Sequence, residues 1–200
     1  MTAVHIRGAE DGDLTALTQV HVQSFPGFFL SALGPRFLRL LYREILHSRD
    51  GVLIVAEDSS GVIGLAAGTT AQSGFYRTLL RRRLGGFAFA AIPAAVRRPQ
   101  IVPRLLRALR RPAESASASA AASLMSLAVL PRAEGQGIGA RLVSAFCEEL
   151  RRRGVRDVCL TTDAAGNDAV NRFYCRQGFN VARTMTTAEG RVLNEYVRSL

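Results

Sequence analysis

The sequence predicts a mixed α/β fold, a single domain over residues 1–200. Two observations carry this expectation. Short runs of Val, Ile, Leu and Ala bounded by turn residues recur along the chain and read as strands. In the last third they alternate with segments whose apolar positions repeat every three or four residues, and such alternation builds a sheet covered by helices.

Taken in order, His5-Ile6-Arg7 gives a brief strand signal. Asp11 then reads as the N-cap of a helix carrying Leu14, Leu17, Val20 and His21, which Phe25-Pro26-Gly27 ends. A second helix starts at about Pro35, with Phe37, Leu38, Leu40, Leu41, Ile45 and Leu46 on its apolar face. Val52-Leu53-Ile54-Val55-Ala56 and Val62-Ile63-Gly64-Leu65-Ala66-Ala67 flank Asp58-Ser59-Ser60-Gly61, whose turn chemistry makes the pair a β-hairpin. Residues 73–113 carry no strand signal. Phe75, Leu79, Leu80 and Leu84, then Ile101, Val102, Leu105, Leu106 and Leu109, repeat at helical spacing with Arg largely opposite. Gly85-Gly86 and Pro93 punctuate the middle, so two or three basic amphipathic helices are expected. Residues 114–122, running into Ser123, alternate Ser and Ala and read as a low-complexity connector. Beyond it, residues 124–130, 155–162, 179–184 and 191–198 read as strands, with helices at 137–152 and 168–177. No internal repeat is visible.

Composition narrows the class. Hydrophobic residues make up 48% and charged residues 21%, an ordinary globular balance that excludes a disordered chain. Arginines interrupt every apolar stretch before the roughly 20 residues of a membrane-spanning helix. His5, Arg7 and Glu10 break up the opening, so no signal peptide is expected. Cys147, Cys159 and Cys175 are odd in number and spaced for neither metal nor a redox pair. The expectation is a reduced, cytoplasmic protein. His5, His21 and His47 lack any helical pairing with a second ligand, so no metal is expected.

Charge is uneven. All 26 basic residues are Arg, and ten of them lie in residues 73–113, which hold no Asp or Glu. The rest of the chain balances 16 Arg against 16 acidic residues, so the net +10 belongs to one segment. Any anionic partner would meet the protein there. A diphosphate-bearing acceptor, an anionic membrane surface and an acidic acyl carrier protein are the partners that suit it, besides a plain helical cap. Nucleic acid is the weakest option, because the aliphatic faces suit packing or lipid better than base stacking.

The most informative stretch is Val129-Leu130-Pro131-Arg132-Ala133-Glu134-Gly135-Gln136-Gly137-Ile138-Gly139. A strand ends, three alternating glycines follow and a helix begins. Glycines let backbone N–H groups approach a phosphate, and a helix N-terminus adds a favourable dipole. Gly135, Gly137 and Ala140 also satisfy a loose dinucleotide pattern, but only 61 residues follow Gly139, too few to complete such a domain. A nucleotide-hydrolase phosphate loop needs Lys, which the chain lacks. Downstream lies Asn167-Asp168-Ala169-Val170-Asn171-Arg172-Phe173-Tyr174-Cys175-Arg176-Gln177-Gly178-Phe179.

The V-x-P-x-x-x-G-x-G-x-G loop and the N-x-x-x-x-x-F-Y-x-x-x-G-F helix together resemble the GNAT superfamily of acetyl-CoA-dependent N-acyltransferases. The resemblance is strong over residues 123–197, weaker over 4–70, and does not cover the arginine segment, which reads as an insertion between the third and fourth strands. It implies a mostly antiparallel central sheet flanked by helices. It also implies acetyl-CoA as co-substrate, with its pantetheine arm paired to Leu127, Ala128 and Val129. The pyrophosphate would lie on the backbone of Gly135, Gln136, Gly137, Ile138, Gly139 and Ala140, with Asn167 and Phe173 on the cofactor side of the second helix.

Tyr174 matches the family tyrosine that protonates the departing thiolate, a step that needs an acid. Glu134 departs from the family, which has Gln or Arg there; Arg132 and Arg141 are near enough in sequence to offset its charge, and weaker binding is the expectation. No residue stands out as general base: Asp163, His21 and Glu195 are candidates, each with a structural reading beside it. Asp163 would be a turn residue, His21 a helix-face residue and Glu195 a strand-rim partner for Arg191 or Arg198. The resemblance implies acetyl transfer to a primary amine of a small molecule, an amino sugar being one class, by direct attack in a ternary complex. Phe25, Phe28 and Phe29 would line the acceptor pocket. The other readings are a carrier-protein or longer acyl-CoA donor at a membrane surface, and a non-catalytic anion-binding module.

Overall fold

The computed structural model describes residues 3–71, 75–97, 122–187 and 190–200. The hairpin read from Asp58-Ser59-Ser60-Gly61 joins β2 (Gly51–Asp58) to β3 (Gly61–Thr69) and seeds a larger sheet. With β1 (His5–Gly8), β4 (Ala122–Val129), β5 (Asp157–Asp163), β6 (Asn180–Thr186) and β7 (Val192–Ser199), it forms seven strands in the order β1-β2-β3-β4-β5-β7-β6. Every neighbouring pair is antiparallel except β4 and β5.

Helices cover both faces. Among the described residues they are α1 (Leu14–Ser24), α2 (Phe29–Ala32), α3 (Pro35–Leu46), α4 (Phe75–Arg82), α5 (Leu84–Arg97), α6 (Ile138–Arg152) and α7 (Asp168–Arg176). The α6 side is marked by close approach: a Cβ added at Gly68 of β3 would collide with the Phe146 ring of α6, so only glycine lets the helix sit that near. Helix α7 lies on the same side, where Phe173 packs against Gly139 at the start of α6. On the opposite face, α1 ends with the Ser24 hydroxyl donating to the Val129 carbonyl at 3.0 Å. There α3 packs beside α1, and α5 lies outside α3 with the Phe37 and Phe87 rings 5.0 Å apart. Arg7 ties β1 to the start of α1 and to β2 through Asp13 and Glu57, holding both carboxyls below the usual carboxylate range.

Four expectations change. Asp11 is not the N-cap of α1. It opens a 3-10 turn (Asp11–Asp13) and its carboxylate meets the His47 ring at 3.0 Å, which ties the two helix ends together. Ala122 and Ser123 belong to β4 and not to a connector: they pair with β5 on one side, Ser123 also pairs with β3, and Ala122 is fully buried. Small residues suit a central strand covered on both faces, and at these two positions they continue the Ser/Ala pattern into β4.

Gly85, Gly86 and Pro93 do not interrupt the arginine segment but lie inside α5. The glycines occupy the first turn, where N–H groups lack helical partners anyway, and a Cβ at Gly86 would stand 3.3 Å from Leu40 of α3. Phe28-Phe29 enters a further short helix, α2. The helix expected around Ile101 to Leu109 lies outside the described residues, as do residues 98–121 generally.

Candidate active site

The sheet opens where β4 and β5 part. These two parallel strands pair only at Ala122–Val158 and Ser123–Cys159. From Leu124 onward β4 has a neighbour on one side only, β3. Leu130 donates its N–H to the Ile63 carbonyl, so that pair and the next such pair, Leu65 with Ala128, exchange backbone bonds. Leu127 and Val129 therefore turn their backbone groups to the open edge, whereas Ala128 turns its own toward β3. The Val129 carbonyl already takes the Ser24 hydroxyl, a contact across 105 residues that no local signal announces.

The edge runs into the glycine loop. A 3-10 turn (Pro131–Ala133) carries the chain past the strand end, and Gly135 and Gly137 then adopt φ of 74° each. That left-handed backbone suits glycine and turns successive N–H groups outward. Gly137 is the N-cap of α6, with no side chain capping it. None of the N–H groups from Gly135 to Ala140 has an acceptor among the described residues, and a Cβ at Gly135 or Gly137 would meet nothing within 4 Å. This open row of donors at a helix N-terminus fits the pyrophosphate of a coenzyme A thioester.

Glu134 is exposed, as are Gly135, Gln136 and Gly137 beside it. The expected compensation by Arg132 and Arg141 is not seen, because both arginines are engaged elsewhere. Arg132 reaches the hairpin turn, donating to the Ser60 hydroxyl at 2.7 Å near Asp58, and Arg141 donates to the Val4 carbonyl at 2.7 Å.

Next to the loop stands α7. Its Asn167 N-cap accepts the Asn171 N–H through its carbonyl, at 3.0 Å. The Asn171 side chain takes the Thr162 hydroxyl at 2.5 Å and donates to the Asp163 carbonyl at 3.1 Å. That clamp fixes the helix to the end of β5. Asn171 stood in the quoted motif without a role, and its spacing from Asn167 was the available signal. The Phe173 ring lies against Gly139, 3.5 Å from where a Cβ would be, and so joins α7 to the loop.

Tyr174 is 8% exposed and packs among Phe173, Phe179 and Tyr196, with ring centroids 5.1, 5.7 and 6.3 Å away. Burial pushes its phenol up to about 12. Its hydroxyl makes no hydrogen bond among the described residues.

The base candidates are dispersed. Asp163 is held through both carboxylate oxygens by Arg191, at 2.8 and 2.9 Å. His21 is buried on α1, its Nδ1 2.6 Å from the Tyr42 hydroxyl and its ring 4.8 Å from Phe25, and burial lowers it to about 4. Glu195 is the larger correction. It is not at a strand rim with Arg191 or Arg198 but 1% exposed, bonded to the Arg183 Nε at 2.5 Å across β6–β7. Tyr196 faces α7, so alternation points Glu195 to the α1 side of the sheet. Arg198 instead stacks over Phe179. Phe25 and Phe28 do associate, at 5.4 Å, with Phe28 55% exposed.

A sheet splayed at one parallel pair, an unpaired strand edge leading into a glycine loop, and a tyrosine helix beside it define an acyltransferase of the coenzyme A-dependent class. The family model described as the acetyltransferase (GNAT) family matches residues 14–179, and the chain belongs to that family. It is a GNAT acetyltransferase by membership, and GNAT enzymes use acetyl-CoA. Solved structures of similar fold include ribosomal-protein-alanine N-acetyltransferase from Brucella melitensis, 21% identical with a TM-score of 0.64 over 98% of this chain and 99% of that one. PaiA N-acetyltransferase from Thermoplasma acidophilum, solved with coenzyme A, is 16% identical with a TM-score of 0.58 over 99% of each chain. A structure described as SsHAT is 22% identical with a TM-score of 0.67 over 98% of both chains. Comparison with curated proteins gives no match.

Proposed function

We propose that this enzyme transfers the acetyl group of acetyl-CoA to a primary amine of a small molecule by direct attack in a ternary complex, with amino sugars the first acceptors to screen. One observation carries the reading: the β4 edge at Leu127 and Val129, which no strand pairs, runs directly into the N–H groups of residues 135–140, which have no acceptor among the described residues. Bound there, acetyl-CoA supplies an acyl thioester. Leu127 and Val129 orient its arm, and the loop N–H groups with the α6 dipole hold its phosphates. The amine nitrogen forms the C–N bond as the C–S bond breaks. Tyr174, whose raised phenol is protonated at neutral pH, donates to the departing sulfur, and the proton the nitrogen sheds on becoming an amide restores the phenol through solvent. Asp163 is engaged by Arg191, Glu195 is buried on Arg183, and His21 is too weak a base to take an ammonium proton. The acceptor therefore enters as the free amine, and the rate rises with pH as its unprotonated fraction does.

Calorimetric titration of the protein with acetyl-CoA, with CoA as control, tests the site. Binding in the micromolar range, roughly −8 kcal/mol, is expected. Absence of binding to either ligand would overturn the assignment of the loop.

A further inference from the structure

Helix α5 is apolar on both sides. Phe87, Ala90, Ala91 and Ala94 face inward and are buried against the body of the protein. Phe89, Ile92 and Val96 are 70%, 52% and 77% exposed. At about 100° per residue these three fall within about 60° of arc, directly opposite the buried set. Singly exposed hydrophobes need no explanation, but a continuous stripe along one helix marks a surface that meets another apolar phase.

The flanks identify that phase. Leu84 to Val96 contains no polar or charged side chain, and the run is bracketed by Arg81-Arg82-Arg83 and by Arg97-Arg98. Arg82, Arg83 and Arg97 are exposed; Arg83 also reaches Glu44 of α3 at 3.3 Å. The surrounding residues 73–113 carry ten Arg and no acid. No helix among the described residues is long and apolar enough to cross a membrane. An apolar stripe with arginines at both ends instead suits a helix lying in the lipid interface, its rings at the acyl boundary and its guanidinium groups reaching back to anionic headgroups. A nucleic acid would satisfy the arginines and leave the stripe in water.

We propose that the outer face of α5 docks this enzyme onto an anionic lipid bilayer, with Phe89, Ile92 and Val96 entering the interface and Arg82 and Arg97 contacting headgroups. Nothing in the acetyl-transfer reading depends on this surface. Phe89, Ile92 and Val96 belong to no part of the cleft, so their substitution leaves acetyl-CoA binding intact.

The test is sedimentation of the full chain with vesicles of phosphatidylcholine, with and without phosphatidylglycerol. The protein should pellet only with the anionic vesicles. Phe89→Ser, Ile92→Ser and Val96→Ser combined should lower the partition coefficient at least about tenfold, with acetyl-CoA affinity and thermal melting unchanged. Val96→Ser alone gives a smaller loss, and Arg97→Gln weakens binding to the anionic vesicles while making what remains less salt-sensitive. Four results would overturn the proposal: no vesicle binding by the wild type, equal binding to neutral vesicles, undiminished binding by the triple variant, or a wild-type dimer in light scattering that the triple variant turns into a monomer. Binding to an acidic acyl carrier protein in place of vesicles would also overturn it.

Discussion

Replacing Tyr174 by Phe removes one hydroxyl, and the structure says what that should and should not change. The phenol, buried to 8% exposure, holds its proton up to about 12, whereas a thiol ionises near 8.5. Full transfer to a free thiolate would thus cost about 5 kcal/mol, so the acid role proposed for Tyr174 requires a proton that moves only as the C–S bond breaks. Such an acid stands at the lower end of the usual range, and kcat should fall about 100-fold with KM for acetyl-CoA little changed.

Folding provides an internal control. The hydroxyl has no protein partner among the described residues, so its loss costs no hydrogen bond and the melting temperature should hold. The unfolded phenol ionises near 10.0 and the folded one near 12, so Tyr174's stabilising contribution is intact below pH 10 and lost as pH rises through 12. That loss, about 2 kcal/mol by pH 12, should be missing from the alkaline urea titrations of Tyr174→Phe. Steady-state thiol release with an accepted amine gives the kinetic half. A kcat within about twofold of wild type, alongside the missing alkaline loss, would refute Tyr174 as the acid while confirming that it is buried.

Three further outcomes are expected. His21 stays neutral down to about 4 against the usual 6.5, so the unfolded chain binds the proton first; stability should fall by about 3 kcal/mol between pH 7 and pH 4, and urea titrations of His21→Gln should show a shallower acid slope. Gly137→Ala places a side chain at φ 74°, costing about 1 kcal/mol, and isothermal titration should show acetyl-CoA affinity reduced at least about tenfold as the loop relaxes. Arg183→Ala leaves the Glu195 carboxylate buried and unpaired, which should cost about 2 kcal/mol because Arg183 is itself 46% exposed; adding Glu195→Gln should recover most of it in a double-mutant cycle.

What was legible in the sequence follows from distance along the chain. The hairpin at Asp58-Ser59-Ser60-Gly61, the glycine loop and the Phe173-Tyr174 helix announce themselves because each is specified by residues within one turn or one loop. The supports of the same site come from far apart. Ser24 reaches Val129 across 105 residues, His21 meets Tyr42 from another helix, and Arg183 meets Glu195 only after β6 and β7 pair. Glu195 misled for that reason: in a strand of alternating pattern a carboxylate reads as solvent-facing, and a cross-strand arginine lets it be buried instead. Gly85, Gly86 and Pro93 misled oppositely, because helix propensity is local and weak while the packing of α5 on α3 is not.

Burial raises the Tyr174 phenol and lowers the His21 imidazole, one on each side of the sheet. Each is thereby kept neutral at working pH, in a chain whose net charge is +10. The charge is concentrated instead in residues 73–113, which supply the exposed ends of α5. Such a division suits a reaction between two neutral groups, a free amine and a thioester, because desolvation penalises the ammonium that would stop the attack. It also separates chemistry from attachment: ionic strength should weaken any hold of the arginine segment on an anionic surface while leaving kcat nearly unchanged, since screened surface charges do not reach buried neutral groups.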